Sequence, residues 1–274
     1  MHFTYYTIIG KNLKLFQSHV QNIKIYSGFD SMPCDKEFLI IIYKNSSIPE
    51  STTQSILDFC KEENIRPVIY DEPDSNFLNN LYFSWNLGYQ ESKEGYVFRS
   101  GSDQVFSKDS FLYLYEAAEK LRTTGYEKFI LQANTIENLT ALNKIGATSR
   151  HFAIDLGGTF EEFDYKTFED LIASFEKKIP KEIDLIDIET ALKYWKKPTK
   201  LQTTLGIIDR VDGCSWLQMK SDWEKHGALV PINAQGITGD VTYIDELQRQ
   251  NYKMYIPRNV HTYHFVRGES FNQY

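Results

Sequence analysis

The run Phe38-Leu-Ile-Ile-Ile-Tyr43 constrains this chain more than any other segment. A strand with one wet face alternates apolar and polar residues, so an unbroken apolar run points to a strand covered on both faces, as in parallel sheets flanked by helices. The run is far short of the roughly 20 apolar residues that cross a bilayer. Thr4 to Ile9 reads as an earlier strand, and a helix near Asn12 to Asn22 separates the two. Ser51-Thr-Thr-Gln54 fits a capping box ahead of a helix with Ile56, Leu57 and Cys60 on one face, before Pro67-Val-Ile-Tyr70 returns as a strand. This alternation predicts βαβ units and a largely parallel sheet.

Leu81 to Gln90 reads as a helix, and Tyr96-Val-Phe98 as a short strand running into Arg99-Ser-Gly-Ser-Asp103. Asp103 therefore falls at the carboxyl end of a strand, where open α/β sheets gather their ligands. Phe111, Leu114, Ala118 and Leu121 form the buried face of the next helix, which Thr123-Thr-Gly125 ends. From Gln132 to Lys200 the pattern is less regular, with a turn at Gly157-Gly158 and a helix opening at Thr167. That helix presents Leu171, Ile172 and Phe175 and stops by Pro180. A strand over Thr204 to Ile208, a capping box at Ser221-Asp-Trp-Glu224 and a helix stop at Gly227 follow. The last helix spans Asp240 to Gln250 with Val241, Ile244 and Leu247 inward; Asn251 takes the left-handed stop, and Tyr252 to Ile256 is a strand.

With no repeat or low-complexity linker, the 274 residues read as one domain with two functional halves. Thirty basic against 37 acidic residues give a net charge of −7, which lacks the basic excess of a nucleic-acid binder. The start MHFTYYTIIG has no cationic segment followed by a long apolar one, so a cytoplasmic protein without a transmembrane segment is expected. Cys34, Cys60 and Cys214 are too widely spaced for a disulfide framework or thiolate zinc site and read as buried free thiols. Ile8-Ile-Gly-Lys-Asn12 stands where a dinucleotide-binding protein would carry G-x-G-x-x-G.

Three ordered segments carry a family resemblance. Trp85-Asn-Leu-Gly88, Gly95-Tyr-Val-Phe98 and Gly101-Ser-Asp103 resemble, in order and spacing, the R-N-x-G, G-x-x-I/V and D-x-D pattern of the inverting family-two glycosyltransferases. Asp212 to Gly227 resembles the acceptor-side strand, helix and glycine of that family. Asp240-Val-Thr, Leu247-Gln-Arg249, Tyr252 to Pro257 and His264 resemble its E-D-x-D helix, G-Y strand and closing histidine.

The resemblance implies a GT-A fold: α/β, with a mixed, mostly parallel central sheet, flanking helices, a Rossmann-like nucleotide half over 1–110 and an acceptor half over 111–274. Residues 130–200 are an atypical region. It implies inverting, metal-assisted transfer of a hexosyl or related group from a nucleotide-diphosphate-sugar donor to a hydroxyl of a glycan or other acceptor. By it, Asp240 is the catalytic base; Thr7, Ile8, Tyr43, Asn86, Ser102 and Asp103 contact the nucleotide sugar; Gly213, Trp216 and Gly239 contact the acceptor; Asp103 and His264 hold Mn²⁺ or Mg²⁺. Such a reaction needs charge stabilisation for a departing diphosphate and a base for the attacking hydroxyl. Gly101 replaces the first Asp of D-x-D, Tyr43 and Lys44 stand where acidic residues are common, Trp85 replaces the arginine, and Gly239 replaces the Glu before Asp240. These departures keep open an alternative, a degenerate GT-A module that binds nucleotide sugar or glycan without transfer. Asp103 as a turn residue and Asp240 as a helix cap are the bland readings of the same positions.

Overall fold

The computed structural model describes residues 1–9, 12–44, 48–71, 77–144, 152–187, 190–191, 215–226 and 239–265. In chain order the elements are β1 (Phe3–Ile9), α1 (Leu13–Gln21) passing into a π-helical turn (Asn22–Tyr26), β2 (Lys36–Lys44), α2 (Glu50–Glu62), β3 (Arg66–Asp71), α3 (Phe77–Glu91), β4 (Tyr96–Gly101) and β5 (Gln104–Phe106). There follow α4 (Ser110–Thr123), β6 (Phe129–Gln132), β7 (Asn134–Asn138), α5 (Leu139–Lys144), β8 (Phe152–Ile154), α6 (Tyr165–Glu176) and β9 (Leu185–Asp187). The last described elements are β10 (Ser215–Met219), α7 (Lys220–His226), α8 (Gly239–Arg249), β11 (Lys253–Pro257) and β12 (His261–His264). Two compact units share them, one of Met1–Gln17, Pro33–Ser102 and Gly213–Tyr252, the other of Ser18–Met32, Asp103–Asp212 and Lys253–Tyr274.

In the first unit the strands run in the order β3-β2-β1-β4-β10, parallel except for β10. The apolar run is β2, whose Phe38 to Ile42 are all buried. In register, Tyr6 lies beside Leu39 and Arg99, and Arg99 beside Trp216, so these side chains share one face. Helix α3 packs on that face: the Tyr6 ring meets Trp85 and Tyr89 edge-on, and its hydroxyl donates to the Trp85 carbonyl at 2.8 Å. Tyr5, Phe38 and Phe98 fill the opposite face.

Gly88 is what lets α3 come this close. A Cβ there would lie 2.1 Å from the Tyr6 ring, which is fully buried. Gly88→Ala is expected to destabilise the protein by about 1–3 kcal/mol through overpacking. The check is the urea midpoint, and an unchanged midpoint contradicts the packing described.

The second unit holds β6-β11-β9 and, as a separate sheet, β5-β12-β7-β8. β11 pairs parallel with β6 and antiparallel with β9; β12 pairs antiparallel with β5 and parallel with β7, and β7 parallel with β8. Helix α4 lies on β6 and β11 with Phe111, Leu114, Ala118 and Leu121 buried, the face expected from their spacing.

Several boundaries differ from expectation. Helix α2 starts at Glu50 behind Pro49, so Ser51 lies inside the helix and caps nothing; Gln54 instead bonds Asp58. Ser221 is likewise inside α7, which begins at Lys220. Helix α6 opens at Tyr165 rather than Thr167 because the Asp164 carboxylate accepts the Thr167 amide at 2.9 Å. Its buried face is Phe168, Ile172 and Phe175, with Leu171 half-buried. Asn251 does take the left-handed stop, at φ 64°. Cys60 is a buried free thiol, and burial pushes it up to about 12; Cys34, also expected to be buried, is only half-buried. Cys214, the strand at Thr204 to Ile208 and the stop at Gly227 lie outside the described residues.

Candidate functional site

Strand β4 ends at Gly101, and the chain turns through Ser102 and Asp103 into β5. Within the second unit β5 pairs with β12 so that Gln104 stands opposite His264. The Phe265 amide donates to the Asp103 carbonyl at 3.0 Å, which ties the two chain segments together one residue beyond the ladder. As a result His264 Nε2 lies 3.4 Å from Asp103 Oδ2, although 161 positions separate them in sequence (264 − 103). The Asp103 side chain is 6% exposed and that of His264 18%, so the pair is a partly sheltered carboxylate and imidazole with a remaining opening to solvent. One residue earlier in the chain, the Ser102 hydroxyl is buried with no hydrogen-bond partner among the described residues. Among the described residues no group of three His, Cys, Asp or Glu gathers as a metal cluster.

His19, which no motif in the sequence singles out, is fully buried behind this turn, where its Nδ1–H donates to the Gln104 carbonyl at 3.0 Å. Burial drives its pKa down to about 4 against the opposing pull of the Gln104 carbonyl and the Asp103 charge. His261, at the start of β12, is also fully buried; its Nδ1 accepts from Asn134 at 3.1 Å and its Nε2–H donates to the Arg258 carbonyl at 3.0 Å. Burial lowers it to about 4 as well, so it is a neutral structural residue despite its three-residue spacing from His264. Both groups titrate near 6.5 when unburied, so between about 6.5 and about 4 the unfolded chain binds more protons than the folded one. Stability is therefore expected to fall as pH drops through that window, by about 1.4 kcal/mol per pH unit for each histidine. Urea midpoints at about pH 7 and about pH 5 check this; equal midpoints contradict it.

In the first unit the expected donor and acceptor residues have these settings. Thr7 is buried and its hydroxyl donates to the Ser100 carbonyl at 2.9 Å, while Ile8 and Asn86 are 3% and 8% exposed. Tyr43 is half-buried at the carboxyl end of β2. Trp216 is wholly buried: its indole N–H donates to the Tyr89 hydroxyl at 2.6 Å and its ring lies 3.5 Å from the Arg99 guanidinium carbon. Trp85 covers Arg99 from another side at 4.5 Å, so the two indoles hold a buried cation, and neither Arg99 nor Trp216 is presented to solvent. Gly239 and Asp240 open α8, so the backbone of Asp240 lies in the first helical turn; its side chain, and Gly213, lie outside the described residues. No helix among the described residues is long and apolar enough to cross a membrane.

No family model and no curated protein sequence matches the chain. Solved structures do. Staphylococcus aureus TarS aligns at 9% identity and a TM-score of 0.51 over 99% of this chain and 38% of its own. GalNAc-T7, solved with UDP, GalNAc and Mn²⁺, aligns at 8% identity and a TM-score of 0.55 over 96% of this chain and 43% of its own. A fragment of TarS aligns at 9% identity and a TM-score of 0.52 over 99% of this chain and 62% of its own. The chain thus spans less than two thirds of the length of each of these chains. At such identities the likeness speaks for architecture: mostly parallel strands flanked by helices, with β10 antiparallel, in the arrangement of a GT-A glycosyltransferase. The chain has the GT-A fold.

Proposed function

We propose that the protein is a glycosyltransferase that moves a sugar from a nucleotide-diphosphate donor to a hydroxyl acceptor, with inversion. The observation that carries this reading is the Asp103–His264 pair, a carboxylate oxygen and an imidazole nitrogen 3.4 Å apart where β4 has just ended. Carboxyl ends of parallel strands are where open α/β sheets hold ligands, and the Ser102 hydroxyl, one residue before Asp103 in the chain, is buried without a partner among the described residues. GalNAc-T7 was solved with UDP, GalNAc and Mn²⁺ on the same architecture, which favours a nucleotide-sugar donor here.

One oxygen and one nitrogen donor suit Mn²⁺ somewhat better than Mg²⁺. Asp103 and His264 are the residues that would hold the ion. When bound, the cation supplies positive charge where the leaving diphosphate gathers negative charge. Ser102 and Asn86 then orient the donor, and Asp240 takes the proton of the acceptor hydroxyl. In the acceptor half, Gly213 and Gly239 leave room for a glycan or other acceptor. Trp216 has no part in this scheme beyond support, because its ring and N–H are committed to Arg99 and Tyr89.

A second reading rests on Gly101, which leaves Asp103 without an acidic companion two residues earlier. It is a module that binds nucleotide sugar or glycan without transfer. Thermal-shift measurements with UDP-, GDP-, CMP- and TDP-sugars, with and without Mn²⁺, test the part common to both readings. Stabilisation by at least one donor, larger with Mn²⁺, is expected; no shift with any of them would count against a donor site of either kind.

A further inference from the structure

The second unit carries a cleft apart from the Asp103–His264 pair. Tyr113, Glu116, Ala117 and Lys120 stand at i, i+3, i+4 and i+7 on α4, so they share one stripe of that helix, beside the buried stripe that packs on β6 and β11. Across from them lie Leu185, which opens β9, and the end of β11 with the two residues that follow it, Arg258 and Asn259. The open cleft between them measures about 330 Å³, at the small end of the range of about 300–1,000 Å³ found for ligand sites. Its far wall is held firmly. The Arg258 amide donates to the Asp184 carbonyl at 2.9 Å, and its guanidinium donates to the carbonyls of Ile183 at 2.9 Å, of Glu176 and Ile179 at 3.2 Å, and of Pro180. On the near wall the Tyr113 hydroxyl is hydrogen-bonded to the Asn259 side chain.

The lining selects a class of ligand. Ala117, Leu185 and Pro257 join Tyr113 in an apolar part, while the exposed Glu116 brings acceptor oxygens and Asn259 an amide that both donates and accepts. Neither cation is free for an anionic ligand: the Arg258 guanidinium is committed to four carbonyls, and Lys120 pairs with Asp184 at 2.9 Å. Glu116 adds a negative charge at the rim, which disfavours phosphates and carboxylates further. A sugar ring suits such a lining, because its C–H groups pack on apolar and aromatic atoms while each hydroxyl donates and accepts at the edge. We propose that this cleft binds a neutral saccharide unit of the acceptor. Asn259 precedes His264 by five positions (264 − 259), so the cleft and the pair lie no more than roughly 17 Å apart along the chain, within one unit. The cleft thus holds an acceptor chain away from the bond being formed. That role, unlike the binding itself, rests on the transferase reading above.

Binding of the full chain to an array of neutral and acidic saccharides, with no nucleotide donor present, tests the cleft. The wild type is compared with Tyr113→Ala and Glu116→Ala, and melting temperatures show that each variant is folded. Glu116 is exposed, so its variant keeps the test open if Tyr113→Ala does not fold. The wild type is expected to retain at least one neutral saccharide, and each folded variant to bind it more weakly by on the order of tenfold. Retention of no neutral saccharide, or wild-type affinity in the folded variants, overturns the cleft as a binding site and leaves the donor reading standing. Retention of acidic saccharides alone overturns the proposed class of ligand. Array binding that depends on Tyr113 and Glu116 in a protein that binds no nucleotide sugar keeps the saccharide site and overturns its role in holding an acceptor.

Discussion

Asp103→Asn is expected to lower kcat/KM for sugar transfer by on the order of 10²- to 10³-fold, the scale seen when one electrostatic contact to a developing anion is removed. The substitution keeps the shape of the side chain and deletes its charge. The backbone tie from the Phe265 amide to the Asp103 carbonyl does not involve the side chain, so the turn should survive. A melting temperature close to wild type, together with lost response to Mn²⁺, separates the loss of a charged ligand from a loss of fold. Asparagine that supports wild-type turnover would return Asp103 to the role of a turn residue.

Asp240→Asn is expected to lower kcat by two to four orders of magnitude, roughly the contribution of a general base, while leaving the Kd for donor nucleotide close to wild type. Asp240 lies in the first turn of α8, where the helix N-terminus favours a carboxylate for structural reasons alone. Stability and catalysis therefore have to be read separately. A residue that only caps the helix would cost about 1 kcal/mol on substitution and spare kcat. A variant with unchanged kcat and a lowered urea midpoint would reduce Asp240 to a cap.

The parts of the fold that the sequence announces are those with enough residues to show a period. β2 is a long apolar run, and α4 repeats Phe111, Leu114, Ala118 and Leu121 on one face. The second sheet is a different matter: β5 and β8 have three residues each and β12 has four, too few to distinguish alternation from chance. Capping motifs misled at Ser51 and Ser221 because Pro49 starts α2 earlier and α7 is already under way at Lys220. Asn251 was legible because few non-glycine residues tolerate φ > 0 and asparagine is among them.

The candidate site divides in the same way. Asp103 is marked by its place after a strand, but its approach to His264 depends on the β5–β12 pairing, which links residues 161 positions apart through strands that carry no periodic signal. His19 was invisible because nothing in its helix distinguishes a buried histidine bonded to a loop carbonyl from a surface one. Trp216 is an acceptor contact by the family resemblance alone; the buried cation at Arg99, on the neighbouring strand, decides its setting and leaves no mark in the sequence.

The measurement that bears most directly on the account is release of free nucleoside diphosphate from a panel of UDP-, GDP-, CMP- and TDP-sugars in the presence of Mn²⁺, by wild type and by Asp103→Asn. Catalysis at the Asp103–His264 pair predicts release from at least one donor by the wild type, lost on chelation and lost in the variant. Donor binding without any release, or release that the variant sustains at the wild-type rate, would contradict it.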